Sequence, residues 1–128
     1  MISGLLFIAI IVSCKPKSKF DVTDKMLTNV PDSVLAVDTM IAIMTDIHLA
    51  EAWAADNHPD SLNQDEQLKK YYAEIFAKHH IHALQYRSSY NYYTNEPVIM
   101  NHIYTKITER LNLLESENLN VSKSKKNE

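Results

Sequence analysis

A single glycine in 128 residues, Gly4, does most to limit what this chain can become. From residue 5 onward every backbone position carries a Cβ, so left-handed conformations are costly throughout. The tight turns of hairpin-rich β folds favour glycine. Phosphate-cradling loops, the dinucleotide fingerprint and the nucleophile elbow each require it at fixed positions. The glycine-dependent chemistries are excluded, hairpin-rich β folds are disfavoured, and no other catalytic signature is present. What remains favoured is an all-α domain whose turns are directed by proline and helix caps.

The stretch from Asp38 to Ala55 is the most apolar part of the chain after the N-terminus. At about 100° per residue, Met40, Ile43, Met44, Ile47, Ala50, Ala54 and Ala55 share one broad face, the stripe a helix buries. Asp46, Leu49 and Trp53 lie opposite. A helix so apolar around its circumference has neighbours on more than one side. Asp38 suits the N-cap, with Val37 before it as half of a staple, and Pro59 stands beyond the end.

Ser61 and Gln64 then have capping-box spacing, and Leu68, Tyr72, Ile75, Phe76 and His79 recur at helical spacing. His80-Ile81-His82 reads as a tight connection. A shorter helix follows with Tyr86, Tyr90 and Tyr93 in line, closed by Asn95 as a left-handed cap. Pro97 opens a last helix, striped by Met100, Ile103, Tyr104, Ile107, Leu111 and Leu114. The expected fold is a bundle of four helices, near residues 38–56, 61–79, 83–94 and 97–116, packed around the first.

Residues Leu5 to Val12 form an unbroken apolar run, too short to cross a bilayer, which needs about 20 residues. It suits the core of a signal peptide. The ending Ile11-Val12-Ser13-Cys14 resembles the lipobox of bacterial lipoproteins, which implies a diacylglyceryl group on Cys14 and cleavage before it. No Lys or Arg precedes the run, a departure from the usual charged start. The expected organisation is a signal peptide over 1–13, a lipidated cysteine and tether over 14–30, a helical domain over 31–116 and a polar, disordered tail over 117–128. Cys14 is the only cysteine, so the domain folds without disulfides. Lys15, Lys17 and Lys19 make the tether basic rather than acidic, which favours a periplasm-facing protein of the cell envelope. Net charge is −3, which gives no strong attraction to nucleic acid.

Several phrases then fall in a familiar order: Asp46-Ile-His-Leu-Ala-Glu51, Ile75-Phe76-Ala-Lys-His79, Ser89-Tyr90 with Tyr93 before Pro97, and Ile103-Tyr104 with Leu111. Over roughly Pro31 to Leu114 the chain resembles a family of small lipoproteins from Bacteroidota-type bacteria, domain of unknown function 4296. The resemblance implies a lipid-anchored helical domain and supplies no activity. The family often has glycine where His80 stands and Thr or Ser where His82 stands, so the turn between them is where this chain departs most.

His48 and Glu51 are the sharpest polar feature. Three apart on a helix, they meet or point together at a third group. One reading is a polar lock: Glu51 largely buried and hydrogen-bonded, with His48 nearby and at least one of Tyr71, Tyr72, Tyr86, Tyr90, Tyr93 or Tyr104 in reach. Removing such a carboxylate would cost about 2–4 kcal/mol. The alternative is half a metal or catalytic site, although no second pair at that spacing is present. Asp46 reads as a cap for a neighbouring helix, or as a general base without a nucleophile. His79, His80 and His82 resemble a metal tract but sit where a helix ends and the next begins. The tyrosines are the rim of a small core, or an aromatic groove for a peptide or sugar. The leading function is a non-enzymatic, lipid-anchored interaction or assembly module with a protein partner and no cofactor. The rival is a metal-binding protein or enzyme built on His48 and Glu51.

Overall fold

The computed structural model describes residues 22–57 and 61–126, with side chains over 22–57 and 64–120. The signal-peptide run, Cys14, the three tether lysines and Pro59 lie outside the described residues, as does the Ser61 side chain proposed for the capping box. Five helices follow in order: α1 Asp24–Thr28, α2 Val37–Asn57, α3 Ser61–Lys78, α4 Ala83–Thr94 and α5 Pro97–Lys126. Among the described residues there is no strand.

Helix α2 packs against α3, α4 and α5, which answers to its apolar residues being spread around its circumference. Met40, Ile43, Met44 and Ile47 meet Ile75 of α3, Tyr93 of α4, and Ile99, Met100, Ile103 and Ile107 of α5 in one core. Each such side chain, fully buried, contributes about 1.5–3 kcal/mol. Ile41 and Thr45 are buried as well, and the Thr45 hydroxyl is satisfied by the Ile41 carbonyl at 2.7 Å. Ala55, expected on the core face, is exposed. Asp38 lies in the first turn of α2 rather than capping it, because the helix begins earlier, with the Met40 amide bonded to the Ala36 carbonyl at 2.9 Å. An acidic residue there still complements the helix dipole.

Two boundaries differ from expectation. The described fold already includes part of the stretch read as tether. Thr23 caps α1, and Met26, Leu27 and Val30 pack against the core. At the other end α5 runs on to Lys126 through residues read as a disordered tail. Their polar composition removes the core stripe but contains no helix breaker.

Helix α3 ends where His80 takes φ 54°. The Ile81 amide reaches back to the Phe76 carbonyl at 3.0 Å and the His80 amide to Ala77 at 3.1 Å. This is the six-to-one and five-to-two pattern of a Schellman motif, with His80 in the left-handed position that glycine usually fills. Asn95 is not left-handed (φ −89°, ψ −3°). Its side chain instead donates to the Asn91 carbonyl at 2.7 Å, and Pro97 starts α5 too soon to need a reversal at Asn95.

Candidate functional site

Helices α2 and α3 run antiparallel, and two polar groups cross their seam. Near one end, Asp46 Oδ2 accepts from Lys78 Nζ at 2.8 Å and pairs with His79 Nε2 at 2.7 Å. The Asp46 and His79 side chains are mostly buried, at 24% and 17% exposure, whereas Lys78 is 65% exposed. Burial alone would push the Asp46 carboxyl up. The hydrogen bonds and charges of Lys78 and His79 outweigh it and hold the carboxyl below its ordinary 3.8. Asp46 is thus a cross-helix staple. It receives two donors near the C-terminus of α3 and does not cap a neighbouring helix.

One and a half turns further on, Glu51 Oε1 accepts from the Tyr72 hydroxyl at 2.6 Å, and its Oε2 lies 3.4 Å from His48 Nδ1. The expected partners are therefore present, with Tyr72 chosen among the six candidate tyrosines. The expected burial is not: the Glu51 side chain is 43% exposed and His48 is 40% exposed. At about 100° per residue Glu51 falls in the middle of the face that holds Met40, Met44 and Ile47, but in front of it the bundle opens into a cavity instead of closing.

That cavity, of about 200 Å³, is lined by Met44, Ile47, His48 and Glu51 of α2, Tyr72 and Phe76 of α3, Tyr86 and Tyr90 of α4, and Tyr104 of α5. Its aromatic wall has a second side. Tyr72 and Phe76, with Lys69 and Ala73, form the α3 flank of an outer groove. Tyr86 and Tyr90, with Ala83 and Arg87, form the α4 flank, and the groove holds about 490 Å³. On each helix the four positions recur at i, i+3, i+4 and i+7, one helical face turned toward the other. One layer of rings thus separates a basic-rimmed groove from an acidic cavity.

The rings are in mutual contact. Tyr72 and Phe76 centroids are 6.4 Å apart, Phe76 and Tyr86 5.3 Å, and Tyr86 and Tyr90 6.1 Å. The neighbouring Tyr90 hydroxyl raises the Tyr104 phenol, with burial adding to it. Burial first, and then the neighbouring Tyr90, Glu51 and Tyr104, push Tyr86 up to about 12. Burial and the Glu51 hydrogen bond lift Tyr72 still further.

The three histidines of the connection are not brought together as a metal tract. His79 turns to Asp46. His80 is exposed in the left-handed position, and His82 is exposed at the N-cap of α4 without a side-chain cap bond. Among the described residues no group of three or more His, Cys, Asp or Glu is arranged to hold a metal ion. His48 and Glu51 therefore remain a pair, without a third ligand of those types.

Helical periodicity did not reveal Lys78 as a partner of Asp46, nor that the Tyr93 hydroxyl donates to the Leu35 carbonyl and the Ser89 hydroxyl accepts from the Leu35 amide. The only signal for the latter was a tyrosine and a serine one turn apart on α4, which names no partner.

The model of a protein family described as Domain of unknown function (DUF4296) matches residues 31–117. No curated protein and no solved structure matches the chain.

Proposed function

This chain belongs to the family described as Domain of unknown function (DUF4296), and from that premise we propose that it is a lipid-anchored, periplasm-facing protein of the cell envelope that acts as a non-enzymatic interaction module. The observation that carries this reading is the outer groove between α3 and α4. An apolar floor of four aromatic rings, with Ala73 and Ala83 leaving room above it and Lys69 and Arg87 at its edges, has the composition of a recognition surface. A small exposed residue on each flank allows a partner's backbone to approach closely. The lipid anchor rests on the apolar run ending at Ser13-Cys14. The proposed attachment is through Cys14; no helix among the described residues is long and apolar enough to cross a membrane. A mature lipoprotein's two or three acyl chains suffice where one binds only marginally.

A photocrosslinking amino acid at Ala73 of the full chain, in its native cells, tests the reading. The expected result is one discrete protein adduct in the membrane fraction, lost with Arg87→Glu and absent with the crosslinker at the exposed Lys106. No adduct from Ala73, or the same adducts from Lys106, would overturn the groove as the partner site. Cys14→Ala is expected to abolish acyl labelling; labelling that survives it refutes the anchor.

The 3.4 Å contact of His48 with Glu51 is the one observation on the side of a metal-binding protein or enzyme. Stoichiometric metal in protein purified without chelator, lost with Glu51→Ala, would favour that reading.

A further inference from the structure

The inner cavity supports an inference that needs neither the lipid anchor nor a partner at the outer groove. Its volume of about 200 Å³ lies below the range of about 300–1,000 Å³ usual for drug-sized ligands. It suits an occupant no larger than a headgroup. Five aromatic residues line it, and the Glu51 carboxylate is its fixed charge; no lysine or arginine is among the lining residues. An anion is therefore disfavoured.

The strongest acceptor of the cavity, the Glu51 carboxylate, already holds one of its hydroxyls. The Tyr72 hydroxyl is given to Glu51, and Tyr104 has Tyr90 as its neighbour. A sugar, which needs several open donors and acceptors, finds few. A hard metal ion, which needs several oxygen ligands, finds one carboxylate. What remains available is π surface and one negative charge. Neighbouring rings from Tyr72 to Tyr90 are tilted 37–39° from one another, so the wall is not a flat stack. Aromatic faces around a site with one carboxylate recognise quaternary ammonium groups, because each neutral ring presents the negative side of its quadrupole to a weakly hydrated cation.

We propose that this cavity binds a small alkylated ammonium cation of the choline or tetramethylammonium type, its methyl groups against Tyr72, Tyr86, Tyr90 and Tyr104 and its charge opposite Glu51. The same chemistry is offered by the free cation and by a phosphocholine headgroup.

The test uses the full chain in a maltoside detergent, which carries no amine, with methionine methyl groups as the nuclear magnetic resonance probe. Met44 lines the cavity and Met100 does not. Titration with tetramethylammonium or choline is expected to shift the Met44 methyl saturably and leave Met100 in place. The neutral isostere of choline, 3,3-dimethylbutanol, is expected to bind at least tenfold more weakly. Glu51→Gln, which keeps the shape and an acceptor for Tyr72, is expected to lose at least tenfold in choline affinity. Tyr104→Leu is expected to weaken binding, and Tyr104→Phe, which keeps the ring, to retain most of it. A Met44 response to phosphatidylcholine vesicles as well as to choline identifies the headgroup as a source; a response to choline alone identifies the free cation. No shift of Met44 with either cation, equal binding of the neutral isostere, or an unchanged affinity in Glu51→Gln would each overturn the proposal.

Discussion

Tyr93 donates its hydroxyl to the Leu35 carbonyl at 2.6 Å, across 58 positions of sequence. The Leu35 amide is taken by the Ser89 hydroxyl at 2.9 Å, and that hydroxyl itself donates to the Gln85 carbonyl at 2.8 Å. Tyr93 and Ser89 are fully buried. Both backbone groups of one loop residue are thus satisfied by side chains one turn apart on α4. This clasp fixes where the chain enters α2, and with it the placement of the helix that carries Asp46 and Glu51.

Removing the clasp leaves a buried backbone group without a partner, which costs about 1–3 kcal/mol. Tyr93→Phe, which keeps the ring, and Ser89→Ala are each expected to destabilise by that amount in urea unfolding. Because both act on Leu35, the double variant is expected to deviate from additivity. A Tyr93→Phe protein with the wild-type midpoint would show that the hydroxyl contributes nothing.

Alkaline pH is expected to unfold the protein through its tyrosines. Burial, with the neighbouring Tyr92, pushes Tyr93 up to about 12 from the ordinary 10. Tyr86 is likewise held at about 12. The folded state therefore keeps these protons at pH values where the unfolded chain releases them. Their contribution is full below pH 10 and is lost as pH rises from 10 through 12. Melting temperature is expected to hold constant up to pH 10 and then fall, less steeply in Tyr93→Phe. A decline that is complete before pH 10 would contradict the buried phenols.

Much of this arrangement was legible in the chain. Apolar stripes and Pro97 marked the four long helices, and a circumference of apolar residues marked α2 as central. The short α1 carries no period long enough to read. Its helix exists because Met26 and Leu27 find the core, a tertiary effect. The wheel gave the direction of Glu51 but not its depth, because direction says nothing of where opposing rings stop. It also drew Tyr86, Tyr90 and Tyr93 as one line. In the fold that line divides: the first two join the aromatic wall and Tyr93 turns to Leu35. Which tyrosine meets Glu51 depends on the antiparallel register of α2 and α3, and that register lies in no local pattern.

The Asp46 staple is expected to show at the acid end. Its carboxyl is held below 3.8 in the fold, so its contribution is present above that pH and is lost as pH falls through the lowered value. Asp46→Asn is expected to flatten this acid limb. Asp46→Ala removes a charged hydrogen bond to the mostly buried His79 and is expected to cost about 1.5–3 kcal/mol. Lys78→Ala is expected to stay within about 0.5 kcal/mol, because its exposed ammonium is well solvated. Equal losses from Lys78→Ala and Asp46→Ala would mean that the surface pair, not His79, carries the staple.

Glu51 is expected to matter less for stability than a buried lock would. Its side chain is 43% exposed, so water reaches the Tyr72 hydroxyl once the carboxylate is gone. Glu51→Ala is expected to cost about 1 kcal/mol, the usual value of one hydrogen bond, with Glu51→Gln costing less. A loss of 3 kcal/mol or more, about what a buried unpaired group plus a void would cost, would restore the buried reading.

His80 offers the opposite change. At φ 54° it occupies the left-handed position of the Schellman motif that ends α3. Histidine is among the residues that tolerate this region, but glycine does so without a Cβ clash. His80→Gly is expected to raise stability by about 0.5–1 kcal/mol, the relief of strain exceeding the added freedom of the unfolded chain. A β-branched residue suffers most there, and His80→Val is expected to lower stability by about 1–2 kcal/mol. Because the His80 side chain is exposed and its backbone is left-handed, both effects belong to the backbone. If glycine and valine shift the midpoint in the same direction, the positive φ is not what governs the α3–α4 turn, and the angle at which the aromatic wall meets α4 must be set elsewhere.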